Sequence, residues 1–229
     1  MKDFIKSVRY SLFSPMPESR KSEHRVKDKF RKIRYMLFGH LPILGRRRRP
    51  GETMKAKGRR KDEKFFDKYC QGQGLDIGYG GDLVVKAARG WDFEHGDAHY
   101  LNGLDDESFD FVYSSHLLEH LPDCEQALKN WWRVLKPGGY LILYLPHRDL
   151  YERKMNLPSR YNDDHAHFFL PEEEDLPDTK GIVPLVGRAL SDHDIVYCKV
   201  CDQGYKNPGV DLPSEGEYSI EIVVKKISV

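Results

Sequence analysis

The sequence predicts an α/β domain built on a doubly wound, mostly parallel sheet and preceded by a basic helical extension. Three observations predict it. Leu75-Asp76-Ile77 is a β-type run closed by Gly78-Tyr79-Gly80-Gly81, with helix-like segments on either side, Asp62 to Tyr69 and Leu83 to Ala88. Strand, glycine turn and helix bring backbone against a nucleotide-like ligand at the carboxyl end of a first strand. Two further runs, Phe111 to Ser115 and Tyr140 to Leu145, read as strands separated by a helix over Cys124 to Leu135. The third observation is charge: residues 1–64 hold 21 Lys/Arg against 7 Asp/Glu, and the remainder hold 16 against 29. A chain of net charge +1 is thus a basic arm on an acidic domain.

Each element follows in order. From Ser22, an N-cap type, Val26, Phe30, Ile33 and Leu37 recur at helical spacing between basic residues, and Arg46 to Arg49 form an exposed linker. The division expected is a basic helical extension and linker over 1–60 and a catalytic-type domain over 61–229. The arm suits either packing on the domain or an anionic partner, a membrane surface or RNA. Gly90-Trp91-Asp92 closes a second strand. Pro122 interrupts a helix begun at His116, and Lys136-Pro137-Gly138-Gly139 stops the helix from Cys124, because proline cannot continue it. Two more strands lie around Ile195 to Val200 and Tyr218 to Ile227. Cys198 and Cys201 form a single C-x-x-C and read as buried thiols. With 4 cysteines, no apolar run of membrane-span length and no signal-peptide core, a cytoplasmic location and no transmembrane segment are expected.

Four motifs occur in order: Leu75-Asp76-Ile77-Gly78-Tyr79-Gly80, Gly96-Asp97-Ala98, Glu107 to His116, and Arg133 to Tyr140. Over about residues 62–147 the chain resembles the class I S-adenosylmethionine-dependent methyltransferases, in particular their compact type-11-like group. The resemblance implies a Rossmann-like sheet with an antiparallel terminal strand and S-adenosyl-L-methionine as cofactor. It places Gly78, Tyr79 and Gly80 at the close approach, Asp76 at the amino-acid end, and Asp92 on the ribose hydroxyls. Asp97 and Ala98 would lie beside the adenine, and Ser115 and His116 near the methionine portion. Two departures stand out: Asp82 replaces a usual glycine, and Gly80 to Asp97 is too short for the family's helix between the second and third strands. A nicotinamide enzyme would need glycine or alanine where Leu83 stands.

His116-Leu117-Leu118-Glu119-His120 spells H-x-x-E-H, a metal-binding signature when carried on a helix. Because it directly follows a strand within the methyltransferase order, a structural and cofactor-lining role is expected, with no metal. Pro158 to Phe169 is dense in polar, imidazole and aromatic groups and follows the strand at Tyr140. It is expected to form the acceptor wall, with Arg160, Asn162 and His167 on the substrate and His165 as general base, its proton affinity raised by Asp163 and Asp164. The expected function is methyl transfer to an oxygen or nitrogen of a small-molecule or glycan-like acceptor. The alternatives are an RNA or protein methyltransferase using the basic arm, and a cofactor-binding module without turnover.

Overall fold

The computed structural model describes residues 51–227 apart from 208, 210 and 211. The amphipathic segment from Ser22 and the arginine run at 46–49 lie outside the described residues. Three short helices come first, α1 (Glu52–Lys55), α2 (Lys57–Asp62) and α3 (Phe65–Tyr69). Then follow β1 (Gly74–Ile77), β2 (Arg89–Trp91), β3 (Phe109–Ser115), a 3-10 turn (Leu118–His120), α4 (Cys124–Arg133) and β4 (Leu135–Pro146). A small parallel pair, β5 (Phe168–Leu170) and β6 (Thr179–Gly181), leads into α5 (Ile182–Ala189), β7 (His193–Cys201) and β8 (Ser219–Lys226).

The main sheet has six strands in the order β2-β1-β3-β4-β8-β7. β1 to β4 are mutually parallel, and β8 runs antiparallel to both its neighbours. The sheet is therefore mostly parallel with an antiparallel terminal strand. Alternation along the strands divides the core between two faces, because successive side chains point to opposite sides. Leu75, Ile77, Val112, Leu141, Leu143, Ile220 and Ile222 pack with Trp131 of α4 and Leu185 of α5. Phe111, Tyr113, Ile142 and Val223 pack on the other face with Phe65 of α3. With both faces covered, β4 reads as an unbroken apolar run from Leu141 to Leu145.

The expected helix over Leu83 to Ala88 does not form; this stretch is turns and bends. Only a short connection separates β1 from the adjacent parallel β2, and the Val84 N–H is taken up by the Asp76 carboxylate instead of a helical carbonyl (2.7 Å). The helix expected from His116 is likewise reduced to the 3-10 turn, since His116 itself lies at φ +50. Cys198 is exposed, contrary to expectation, while Cys201 is buried. The segment from Ile182, which carries no clear helical start signal, forms α5.

The domain boundary expected after residue 60 falls inside α2. Arg59 donates to Glu217 from Nε (3.0 Å) and to Glu221 from Nη2 (2.6 Å). Arg60 is fully buried, donates from Nε to Glu221 (2.8 Å) and lies 4.8 Å from the Tyr144 ring centroid. This helix is held to β4 and β8 by desolvated charge.

Candidate active site

The strand order reverses at β1, whose neighbours β2 and β3 lie on opposite sides, and the carboxyl ends of β1 and β3 open into a cleft of about 220 Å³. Gly51, Glu52, Thr53, Asp76, Gly78, Tyr79, Gly80, Asp82, Ser115 and His116 line it. Gly78 and Gly80 have φ of +75 and +57, which turns the chain sharply off β1. A Cβ on Gly80 would point into open space, so the turn shows bare backbone to the cleft. The Gly80 N–H donates to Asp92 Oδ2 (3.2 Å), placing the carboxylate that ends β2 against the same turn.

Asp76 is almost wholly buried on β1. Burial pushes its carboxyl up to about 7; the Val84 N–H and Arg60 oppose the rise, and Asp82 and Asp92 add to it. Three carboxylates around one glycine turn suit a cationic ligand. The Ser115 hydroxyl is buried without a hydrogen-bond partner, the kind of polar atom a ligand would satisfy. These features fit a nucleoside carrying ammonium and sulfonium groups. Asp97 and Ala98 stand outside the cleft lining. Asp97 Oδ1 accepts from the His99 N–H (2.9 Å), and the Ala98 carbonyl accepts from Trp131 Nε1 (2.8 Å).

A second cluster adjoins the first through His116. The left-handed backbone there turns the chain off β3, and Tyr144, Tyr151 and Tyr218 surround the imidazole, with centroids at 5.6, 6.4 and 5.9 Å. Glu119, fully buried, sits 3.8 Å from His116 Nδ1 and 3.9 Å from each Nε2 of His120 and His165. The Ala166 and His167 N–H groups donate to the Glu119 carbonyl (2.7 and 3.2 Å), which staples the loop after β4 onto the 3-10 turn. Burial pushes the Glu119 carboxyl up to about 7 and the His116 imidazole well below its usual value.

The loop residues singled out in the sequence take specific places. His165 is buried and its Nδ1 contacts Glu152 Oε1 (2.9 Å). Its carboxylate partner is thus Glu152 rather than Asp163 or Asp164, as adjacency had suggested; Asp163 is exposed, and Asp164 presents its backbone carbonyl to His120 Nδ1 (3.3 Å). Arg160 donates from Nε to the Glu152 carbonyl (3.0 Å), Asn162 Oδ1 accepts from the Asp164 N–H (3.2 Å), and His167 Nε2 contacts the Pro122 carbonyl (3.1 Å). These three side chains brace the loop around His165. Glu119 and His120 are legible in the sequence through the H-x-x-E-H. Glu152 carried no signal, since nothing in the chain near it marks a functional carboxylate.

Residues 80–143 match the family described as "Methyltransferase domain". A probable S-adenosylmethionine-dependent methyltransferase of Mycolicibacterium smegmatis is 28% identical over 135 residues, covering 47% of this chain and 52% of that protein. Over these residues the chain is similar to the methyltransferase domain of S-adenosylmethionine-dependent methyltransferases. The ubiquinone biosynthesis O-methyltransferase of Coxiella burnetii is 35% identical over 78 residues, 30% of the chain and 33% of that protein. The chain spans about half or less of the length of these curated relatives. A solved S-adenosylmethionine-dependent methyltransferase from Archaeoglobus fulgidus shares the fold, with a TM-score of 0.50 at 17% identity over 77% of this chain and 95% of that one. S-adenosyl-L-methionine is the cofactor that this similarity implies, and the carboxylate-ringed turn agrees with it.

Proposed function

We propose that the chain transfers a methyl group from S-adenosyl-L-methionine to an oxygen or nitrogen of a small-molecule or glycan-like acceptor. The observation that carries this reading is the single cleft shared by Asp76, Gly78, Gly80, Ser115 and His116 at the carboxyl ends of β1 and β3. When bound, the cofactor supplies a methyl carbon activated by its sulfonium. Asp76 would accept from the ammonium and Asp92 from the ribose hydroxyls, with Asp97 and Ala98 toward the adenine. Gly78, Tyr79 and Gly80 would supply the backbone surface, and Ser115 a hydroxyl for the methionine portion. In-line displacement places the acceptor opposite the breaking C–S bond, so positioning supplies much of the rate. The loop braced by Arg160, Asn162 and His167 forms the acceptor wall. In metal-free protein, His165 with Nδ1 held by Glu152 has the fixed orientation of a general base.

The test is calorimetry with S-adenosylmethionine, followed by mass spectrometry of cell-extract components methylated in vitro beside an Asp76→Ala control. Micromolar cofactor binding and a new methylated product, both lost in the control, are expected. Tight NADH binding without S-adenosylmethionine binding would overturn the reading.

A further inference from the structure

We propose that Glu119, His120 and His165 form a site for one divalent transition-metal cation of the zinc class, beside the cofactor cleft. Glu119 Oε1 lies 3.8 Å from His116 Nδ1, 3.9 Å from His120 Nε2 and 3.9 Å from His165 Nε2. None of these is a hydrogen bond. Donor atoms bound at about 2.0–2.1 Å around a tetrahedral ion stand roughly 3.4 Å apart, so a small closure brings the ligand atoms of Glu119, His120 and His165 onto one centre, with His116 outside that group. Of the described residues, Glu119, His120 and His165 already bring their ligand atoms within 4.8 Å of one another.

Two independent features mark the cluster as built for a cation. Glu119 is fully buried, yet neither of its carboxylate oxygens has a hydrogen-bond partner, an arrangement that costs heavily without a positive charge beside it. Each imidazole is also held from behind. His116 Nε2 meets Ser219 Oγ (2.9 Å), His120 Nδ1 meets the Asp164 carbonyl (3.3 Å), and His165 Nδ1 meets Glu152 Oε1 (2.9 Å). A proton on each outer nitrogen leaves the lone pair of the inner nitrogen aimed at Glu119, which is how metal-ligating histidines are oriented. Two imidazoles and one carboxylate, with a fourth position left to solvent, suit zinc and its first-row neighbours rather than magnesium or calcium. His116 and His120 retain 14% and 10% exposure, giving the ion a route in. Pairing of positions 119 and 120 with 165 replaces the metal-free reading of the H-x-x-E-H. It also makes His165 a ligand, not a base, whenever the ion is bound. The site stands on its own geometry and does not depend on methyl transfer.

The experiment is elemental analysis of the full, tag-free chain after zinc loading and dialysis, with cobalt(II) substitution read by visible absorption. About one zinc per chain and the intense absorption band of a four- or five-coordinate cobalt site are expected. Glu119→Gln and His165→Ala should each reduce retained zinc to below about a tenth per chain while near-UV dichroism stays native. Should either variant fail to fold, the cobalt spectrum of the unaltered chain decides, and an octahedral spectrum or none overturns the site. Folded variants that keep a full zinc, or a chain that retains only magnesium, also overturn it. Cofactor calorimetry on the same samples separates the two proposals: a chain that retains no zinc after loading yet binds S-adenosylmethionine overturns this site and leaves the proposed function standing, whereas a chain that retains zinc without binding S-adenosylmethionine does the reverse.

Discussion

Asp76 meets two opposed demands: its place on β1 buries it, and its assigned task requires a negative charge. Its carboxyl, raised from 3.8 to about 7, holds a proton that the unfolded chain has already lost. The resulting stabilisation is complete below pH 3.8 and is lost as pH rises through about 7. Asp76→Asn, which keeps an acceptor for the Val84 N–H, should therefore raise the melting temperature of cofactor-free protein at pH 8 by about 3 °C or more. The same change should weaken S-adenosylmethionine binding at least about tenfold. In the unaltered chain, cofactor affinity should be roughly tenfold lower at pH 6 than at pH 8, with proton release on binding near pH 7. Calorimetry in two buffers of different ionisation enthalpy measures this; a pH-independent affinity would show that Asp76 is already ionised or does not face the cation.

At the scale of elements, α2 is held by charge. Arg59 and Arg60 are nearly inaccessible and answer Glu217 and Glu221 at the β8 end of the sheet. Removing Arg60 leaves the buried Glu221 with the Arg59 guanidinium alone, so Arg60→Ala should cost about 3 kcal/mol in urea unfolding, the lower end for breaking a buried pair. The double change Arg60→Met with Glu221→Leu should recover most of that loss, because both desolvation costs vanish together. A chain starting at residue 61 loses both arginines and should be insoluble or molten, whereas one starting at Gly51 should unfold cooperatively. Equal stability of the two truncations would show that α2 is peripheral.

Over the whole molecule, charge is segregated along the chain. Residues 1–50 carry 15 Lys/Arg and 4 Asp/Glu, and the remainder carries 22 and 32. A chain lacking 1–50 should keep its S-adenosylmethionine affinity within about twofold yet lose retention on anionic vesicles or RNA at low salt, because electrostatic contacts weaken steeply with ionic strength. If the full chain shows no such retention at about 50 mM salt, the arm is not an electrostatic anchor. Among the described residues no helix is long and apolar enough to cross a membrane.

What the sequence determined by itself is what neighbours along the chain can encode. Leu75 to Ile77 and the glycines after them specify a strand and a sharp turn through β propensity and permissive φ, and the motif order through Gly139 specified the cofactor class. The unbroken apolar run from Leu141 to Leu145 announced a strand covered on both faces. Tertiary structure decided the rest, because the deciding contacts join residues far apart in the chain. Glu152 reaches His165 only because the loop after β4 folds back, and Arg60 reaches Glu221 only because β8 inserts between β4 and β7. His116 to His120 spell a helix motif that the left-handed backbone at His116 cancels, yet the fold still brings His116, Glu119 and His120 together with His165. Local spacing specifies which groups are available; the crossing of strands and loops specifies which of them meet, since burial and pairing energies are realised only when distant segments close on one another.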